Sequence, residues 1–415
     1  MDPASVEAVV TRVHREEWAR VVASLARRFG DLDLAEEMAA EAFATAVERW
    51  PRDGVPPNPG AWITTTANHK AIDRLRREAR RASKQQEALM LRDDSPPEPV
   101  GAVEDDRLRL LFTCCHPALA MEARVALTLR LVGGLTVPEI AHAFLVQEAT
   151  MGQRITRAKG KIRAARIPYR VPETEDLPAR VAGVLAVLYL VFNEGYLASG
   201  EASDPIRRDL TAEAIRLTRL VRGLLPHDGE VAGLLALMLL TEARAAARVS
   251  ASGELVALDE QDRSAWNRAM LDEGLAIVRE RLAVVARGDA VPGRYQVLAA
   301  ISAVHTSAPE PGNTDWSQVV ALYDQLAALD PSPIVTLNRA IAVAELDGPA
   351  AGLDAIDRLG EPLDGYHAFH AARGDLLRRL GRSAEARAAY DRAIELAGNS
   401  AERAYLTRRR GELAG

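Results

Sequence analysis

Apolar positions recur every three to four residues along most of this chain, the period of helices that bury one face. Residues 5–29 place Val6, Val9, Val10, Val13, Trp18, Val21, Val22 and Leu25 on one side, and Gly30 ends the pattern. A second helix is expected from Asp33 to Trp50. Leu34, Met38, Ala42 and Val47 would face inward, Glu36, Glu37, Glu41 and Glu48 would face solvent, and Pro51 would stop it. The breaker-rich loop PRDGVPPNPG leads into a third helix, NPGAWITTTANHKAIDRLRREARR, where Asn58 can cap the free N–H groups and Pro59 suits the first turn. Ile63, Ala67, Ala71 and Leu75 recur every four residues as its inward side, which leaves Thr65, Asn68, His69, Ile72 and Arg76 on or near the opposite face. Three helices in this space make one small bundle, residues 1–81.

Periodicity fades after Ala82 into a stretch whose core, Ser-Pro-Pro-Glu-Pro, reads as a linker, residues 82–105. It resumes over Asp106–Leu111 and Met121–Val132, then breaks at Gly133-Gly134. Thr136-Val-Pro-Glu139 has the spacing of a capping box and starts a short helix, TVPEIAHAF. After a tight break comes EATMGQRITRAKGKIRAAR. Two helices so joined, the second strongly basic, are the layout of a helix-turn-helix in residues 106–172. Ile140, Ala141, Met151, Ile155 and Ala158 would form its core, and Thr150, Gln153, Arg154, Arg157 and Lys161 would lie on the side turned to DNA. Gln153 and Arg154, near the helix start, suit base edges, whereas Arg163 and Arg166, further along, suit phosphates. The alternative is a helical hairpin without DNA contacts.

Residues 173–415 are helical throughout, with Pro, Gly and Asp as punctuation. Near the end, Gly374, Leu377, Gly381, Ala386, Tyr390 and Ala393 stand at the offsets of a tetratricopeptide repeat, and Ala340, Gly352 and Ile356 repeat part of that spacing 34 residues earlier. Asn193, Glu194 and Tyr196 can be read as a polar recognition patch or as the turn that ends a helix. Asp347-Gly348-Pro349 can likewise be a contact loop or an inter-helix turn. The fold class expected is all-α.

Charge changes the picture more than composition does. The formal net charge is -6, which suits a nucleic-acid binder poorly, yet the charges are segregated. Asp31–Glu48 holds six acids and no base, and Arg154–Arg166 holds six bases and no acid. The third helix ends in a further basic run, Arg74, Arg76, Arg77, Arg80, Arg81 and Lys84 against Glu78 alone. Cys114 and Cys115 are adjacent, lack a zinc-ligand spacing and read as small buried residues. No Ser/His/Asp cluster, metal spacing or phosphate-cradling glycine loop is present, so neither catalysis nor a cofactor is expected. The start of the chain lacks the pattern of a signal peptide, and the apolar runs Val181–Phe192 and Val231–Leu240 are shorter than a bilayer span. The expected place is therefore the cytoplasm, with no membrane partner.

DLDLAEEMAAEAFATAVERW, NPGAWITTTANHKAIDRLRREARR, a Pro-rich linker and LTVPEIAHAFLVQEATMGQRITRAKGKIR together resemble, in order and spacing, the extracytoplasmic function sigma factors of bacterial RNA polymerase. The resemblance covers roughly residues 5–170, and the whole chain resembles the group with a C-terminal tetratricopeptide-like extension. It implies a core RNA polymerase surface that includes Asp33, Glu36, Glu37 and Glu41. It implies promoter DNA contacts at the minus-ten element by Asn58, Trp62, Asn68, Asp73, Arg74, Arg76 and Arg77, and at the minus-thirty-five element by Thr150, Gln153, Arg154 and Arg157, with Lys161 a further DNA-binding residue. Gly152 departs from the family, whose members often carry Lys there. For the C-terminal half it implies regulation or a protein partner. Trp62 offers a face for an unstacked base but equally suits packing. Two other readings remain: a DNA-binding regulator independent of polymerase, and an adaptor whose helical repeats are the main activity.

Overall fold

The computed structural model describes residues 3–82, 100–144, 146–173, 175–197, 206–250, 254–398 and 400–414. Lys84 and the Pro-rich core of the linker lie outside them. The chain divides into two compact units, residues 1–190 and 191–415.

In the first unit, α1 (Pro3–Phe29), α2 (Leu32–Asp53) and α3 (Pro59–Ala82) pack against one another. The predicted inward positions Trp18, Val21, Val22, Leu25, Met38, Ala42, Ile63, Ala67 and Ala71 are buried, each large aliphatic one contributing about 1.5–3 kcal/mol. Asp31 caps α2 by accepting hydrogen bonds from the backbone N–H groups of Asp33 and Leu34. Asn58 does the same for α3 through Ala61. Two details of α2 differ from expectation. Val47 is 57% exposed, and the helix runs past Pro51 to Asp53, where Gly54 at φ 81° turns the chain out. Proline so near a helix end removes a single hydrogen bond, and the left-handed glycine is the real stop.

The same unit continues with α4 (Val100–Cys114), α5 (Met121–Leu127), a π-helical turn (Thr128–Val132), α6 (Val137–Ala143) and α7 (Glu148–Ala164). α4 therefore begins within the expected linker. The capping box is formed: the Glu139 carboxylate accepts from the Thr136 N–H and hydroxyl, and the Glu139 N–H donates to Thr136 Oγ1. Ile140, Ala141, Met151, Ile155 and Ala158 are buried, as the helix-turn-helix requires.

α8 (Leu177–Tyr196) carries the boundary between the units, later than the sequence division at residue 172. Its Arg180 donates to the carbonyl of Phe112 in the first unit. At 20 residues α8 is, among the described residues, the one helix long and apolar enough to cross a bilayer, longer than the run read from the sequence. Its apolar residues Val181, Val184, Leu185, Val187, Leu188, Val191 and Phe192 are nonetheless buried in protein.

The second unit contains α9 (Arg208–Leu224), α10 (Gly229–Glu242), α11 (Arg268–Ala286), α12 (Arg294–Ser307), α13 (Trp316–Leu329), α14 (Pro333–Asp347), α15 (Pro349–Asp357), α16 (Gly360–Leu363), α17 (His367–Arg379), α18 (Ser383–Leu396) and α19 (Ser400–Gly411). Each long helix packs on its neighbours in sequence, and α10 is apolar all round and fully buried over Val231–Leu240. The repeat spacing has a packing cause. A Cβ on Gly352 would lie 2.3 Å from the Ala344 Cβ, and one on Gly374 would press on the Tyr390 ring at 3.1 Å, so these small residues let α15 reach α14 and α17 reach α18. Gly348, at φ 95°, and Pro349 form the turn between α14 and α15. The Tyr196 ring lies under the Arg248 guanidinium, 3.2 Å from its centroid, and the Tyr196 carbonyl accepts from the same arginine. Tyr196 is thus held by its own unit.

Candidate polymerase and nucleic-acid interface

The acids of α2 do not all face water. Glu36 is only 12% exposed in its side chain and lies between Arg130 Nε at 2.6 Å and the Lys159 ammonium. Asp33 pairs with Lys159 at 3.0 Å and with Arg163. Burial alone would raise the Asp33 carboxyl, but the hydrogen bonds and charges of Lys159 and Arg163 outweigh it and hold the group below the usual carboxylate range. Glu37 pairs with Arg74, and Glu41 with Lys70 at 3.2 Å, both across to α3. The expectation of four solvent-facing acids is therefore corrected for Glu36, because its counter-charges come from residues about a hundred positions away in sequence.

On α3 the exposed stripe is Thr65, His69, Asp73, Arg76, Arg77 and Glu78. Arg74 lies at its edge, divided between Glu37 and Glu78. Asn58 and Asp73 are exposed. Asn68 is not on the stripe: it is 8% exposed, donates to the Thr64 carbonyl at 3.0 Å and accepts from Arg28. A direct DNA contact by Asn68 is therefore corrected to a structural role that ties α3 to α1. Trp62 is half-buried, edge-on to Trp50 at 5.6 Å between centroids, which favours the packing reading. His69 and Thr65 belong to the exposed face but were not among the expected contacts; the four-residue step from Asp73 back through His69 to Thr65 is the signal that marks them.

On α7, Thr150, Gln153, Arg157 and Lys161 are exposed and Arg154 half-exposed, opposite the buried Met151, Ile155, Ala158 and Ile162. The five expected contacts thus share one side of the helix. Arg163 does not join them, because it is turned to Asp33. Among the described residues no cluster of three or more His, Cys, Asp or Glu side chains is placed to hold a metal.

Family models match the chain in this order: sigma-70 region 2 at residues 15–81, sigma-70 region 4 at residues 109–162, and a family of unknown function, DUF6596, at residues 180–282. An uncharacterized protein of Rhizobium meliloti (strain 1021) is 45% identical over 401 residues, 95% of this chain and 93% of that protein. A protein of Mycobacterium tuberculosis named as a probable ECF RNA polymerase sigma factor, SigI, is 29% identical over 171 residues, 40% of this chain and 56% of that protein. The first bundle is thus sigma-70 region 2, the helix-turn-helix is sigma-70 region 4, and the chain that joins them belongs to one family with the uncharacterized Rhizobium protein.

Proposed function

We propose that the chain binds core RNA polymerase through the acidic side of α2, reads and melts the minus-ten element with the exposed stripe of α3, and reads the minus-thirty-five element with α7. The observation that carries this is the pairing, in one chain, of an acid-rich α2 with two basic helical faces: Arg76 and Arg77 on α3, and Arg154, Arg157 and Lys161 on α7. Basic side chains neutralise phosphates, while Gln153 and Arg154 near the helix start suit base edges. Strand opening would draw on binding energy shared with polymerase, so the chain acts by binding and carries no catalytic step of its own. The C-terminal half, a helical array that is tetratricopeptide-like over the final third of the chain, regulates initiation or holds a protein partner. Run-off transcription with purified core polymerase tests the reading: the chain should confer a defined start site. Tight binding to promoter duplex with unchanged core transcription would instead favour a polymerase-independent regulator.

A further inference from the structure

The contact between α7 and α2 satisfies neither module's own needs. Lys159 belongs to neither the helix-turn-helix core, made by Met151, Ile155, Ala158 and Ile162, nor the face formed by Thr150, Gln153, Arg157 and Lys161. It lies on a third side, its side chain 10% exposed, and its ammonium meets Asp33 and Glu36, 126 and 123 residues away. A lysine so far removed from water requires a counter-charge, and both carboxylates that meet it, Asp33 and Glu36, come from region 2. Arg130 adds a second tie: it pairs with Glu36, stacks on Trp18 at 5.7 Å and accepts the Trp18 indole N–H at its carbonyl. Gly134, at φ 78°, brings the turn so close that a Cβ there would stand 3.0 Å from the Trp18 ring. Arg27 of α1 reaches the buried Asp106 of α4 at 3.0 Å, and the Tyr169 hydroxyl is 3.0 Å from the carbonyls of both Ala23 and Asp106.

Asp33 and Glu36 are also half of the acids that the proposed function gives to polymerase. Resting on that reading, we propose that region 4 is an internal competitor for the polymerase-binding surface of region 2. In the free chain Lys159, Arg130 and Arg163 occupy Asp33 and Glu36, and core polymerase gains these two carboxylates only by displacing them. The DNA-reading side of α7 stays exposed throughout, so the contact governs polymerase engagement and the separation of the two promoter-reading surfaces, not the chemistry of base recognition. Because the same carboxylates are paired before and after, the exchange requires no net loss of ion pairs, a condition for reversibility.

Zero-length carbodiimide cross-linking tests this on the full chain, since it joins only amines and carboxylates in contact. Peptide mapping should find Lys159 joined to Glu36 or Asp33 in the free chain, and the product should fall several-fold when core polymerase is added. Lys159→Met, which keeps the length of the side chain and removes its charge, should tighten core binding roughly tenfold, the scale of one partly buried ion pair. Unchanged or weaker core binding by a folded Lys159→Met chain overturns the proposal. So does a cross-link that is absent from the free chain or persists in the complex, and that result stands even if the variant does not fold. Failure of the natural chain to bind core polymerase overturns the sigma reading itself, whereas normal core binding with a persistent cross-link overturns only the competition.

Discussion

Replacing Glu36 with alanine separates a buried bridging carboxylate from a solvent-facing one. A surface acid on a helix usually contributes within about 0.5 kcal/mol. Glu36 is different, because its side chain and those of Lys159 and Arg130 are 12%, 10% and 16% exposed, so screening by water is weak. Removing one member of such a group leaves buried positive charge behind, a loss of about 3–5 kcal/mol where no other partner remains. Lys159 retains the half-exposed Asp33, and Arg130 retains the carbonyl of Leu135 at 2.8 Å, which lowers the expected cost to about 2–3 kcal/mol. At tenfold per 1.4 kcal/mol, hydrogen-exchange protection of the α2 and α7 backbone in the full chain should fall roughly 30- to 140-fold. Glu37→Ala is the control, since Glu37 is half-exposed and pairs across to Arg74, and it should change protection by less than about threefold. If Glu36→Ala and Glu37→Ala give the same small loss, the bridging role is refuted.

Gly152→Ala should stabilise α7 by about 1 kcal/mol, because a Cβ there meets only Val137 at an ordinary 3.9 Å; thermal unfolding followed by helical circular dichroism measures it. Gly152→Lys should raise promoter-DNA affinity and steepen its dependence on salt by nearly one counterion, read from a salt series of binding constants. His305 is held neutral by burial and by Arg244 and Arg263, its pKa lowered to about 4. A depressed histidine favours the folded state above its unfolded pKa, so stability of the second unit should decline as pH falls from 6.5 toward 4, by up to about 3 kcal/mol, and His305→Gln should flatten that decline in denaturant titrations. A fragment ending at Tyr196, which keeps all of α8, should stay helical and bind core polymerase, yet differ several-fold from the full chain in promoter-directed transcription; equal activity would leave the second unit as a separate adaptor.

Local features were legible in the sequence because their causes are local. Asn58 before Pro59, and Thr136 three residues before Glu139, announce caps that form as expected. The four-residue step of Ile63, Ala67 and Ala71 announces a buried face. Asn68 was misread because a polar residue just beside an apolar stripe gives no sign that Arg28, 40 positions earlier, waits to bind it. Glu36 was misread for the same reason on a larger scale: periodicity assigns it to a polar side, and only the fold brings α7 and the π-helical turn across that side. Val47 shows the converse, an apolar residue at an inward-looking position that no neighbouring helix covers.

The adjacent thiols have a consequence for signalling. Cys114 and Cys115 are buried. Burial lifts Cys114 well above the ordinary thiol value, and it raises Cys115 to about 11 even though Thr128, 3.4 Å away, favours the thiolate. Near neutral pH only about one Cys115 in ten thousand would be ionised, and oxidants and alkylating agents attack the thiolate. In the folded protein these two thiols are therefore poor targets for peroxide and electrophiles, and neither is suited to act as a redox sensor. The same inertness makes the native chain a clean background in which a single surface cysteine can be labelled without removing the two it already has.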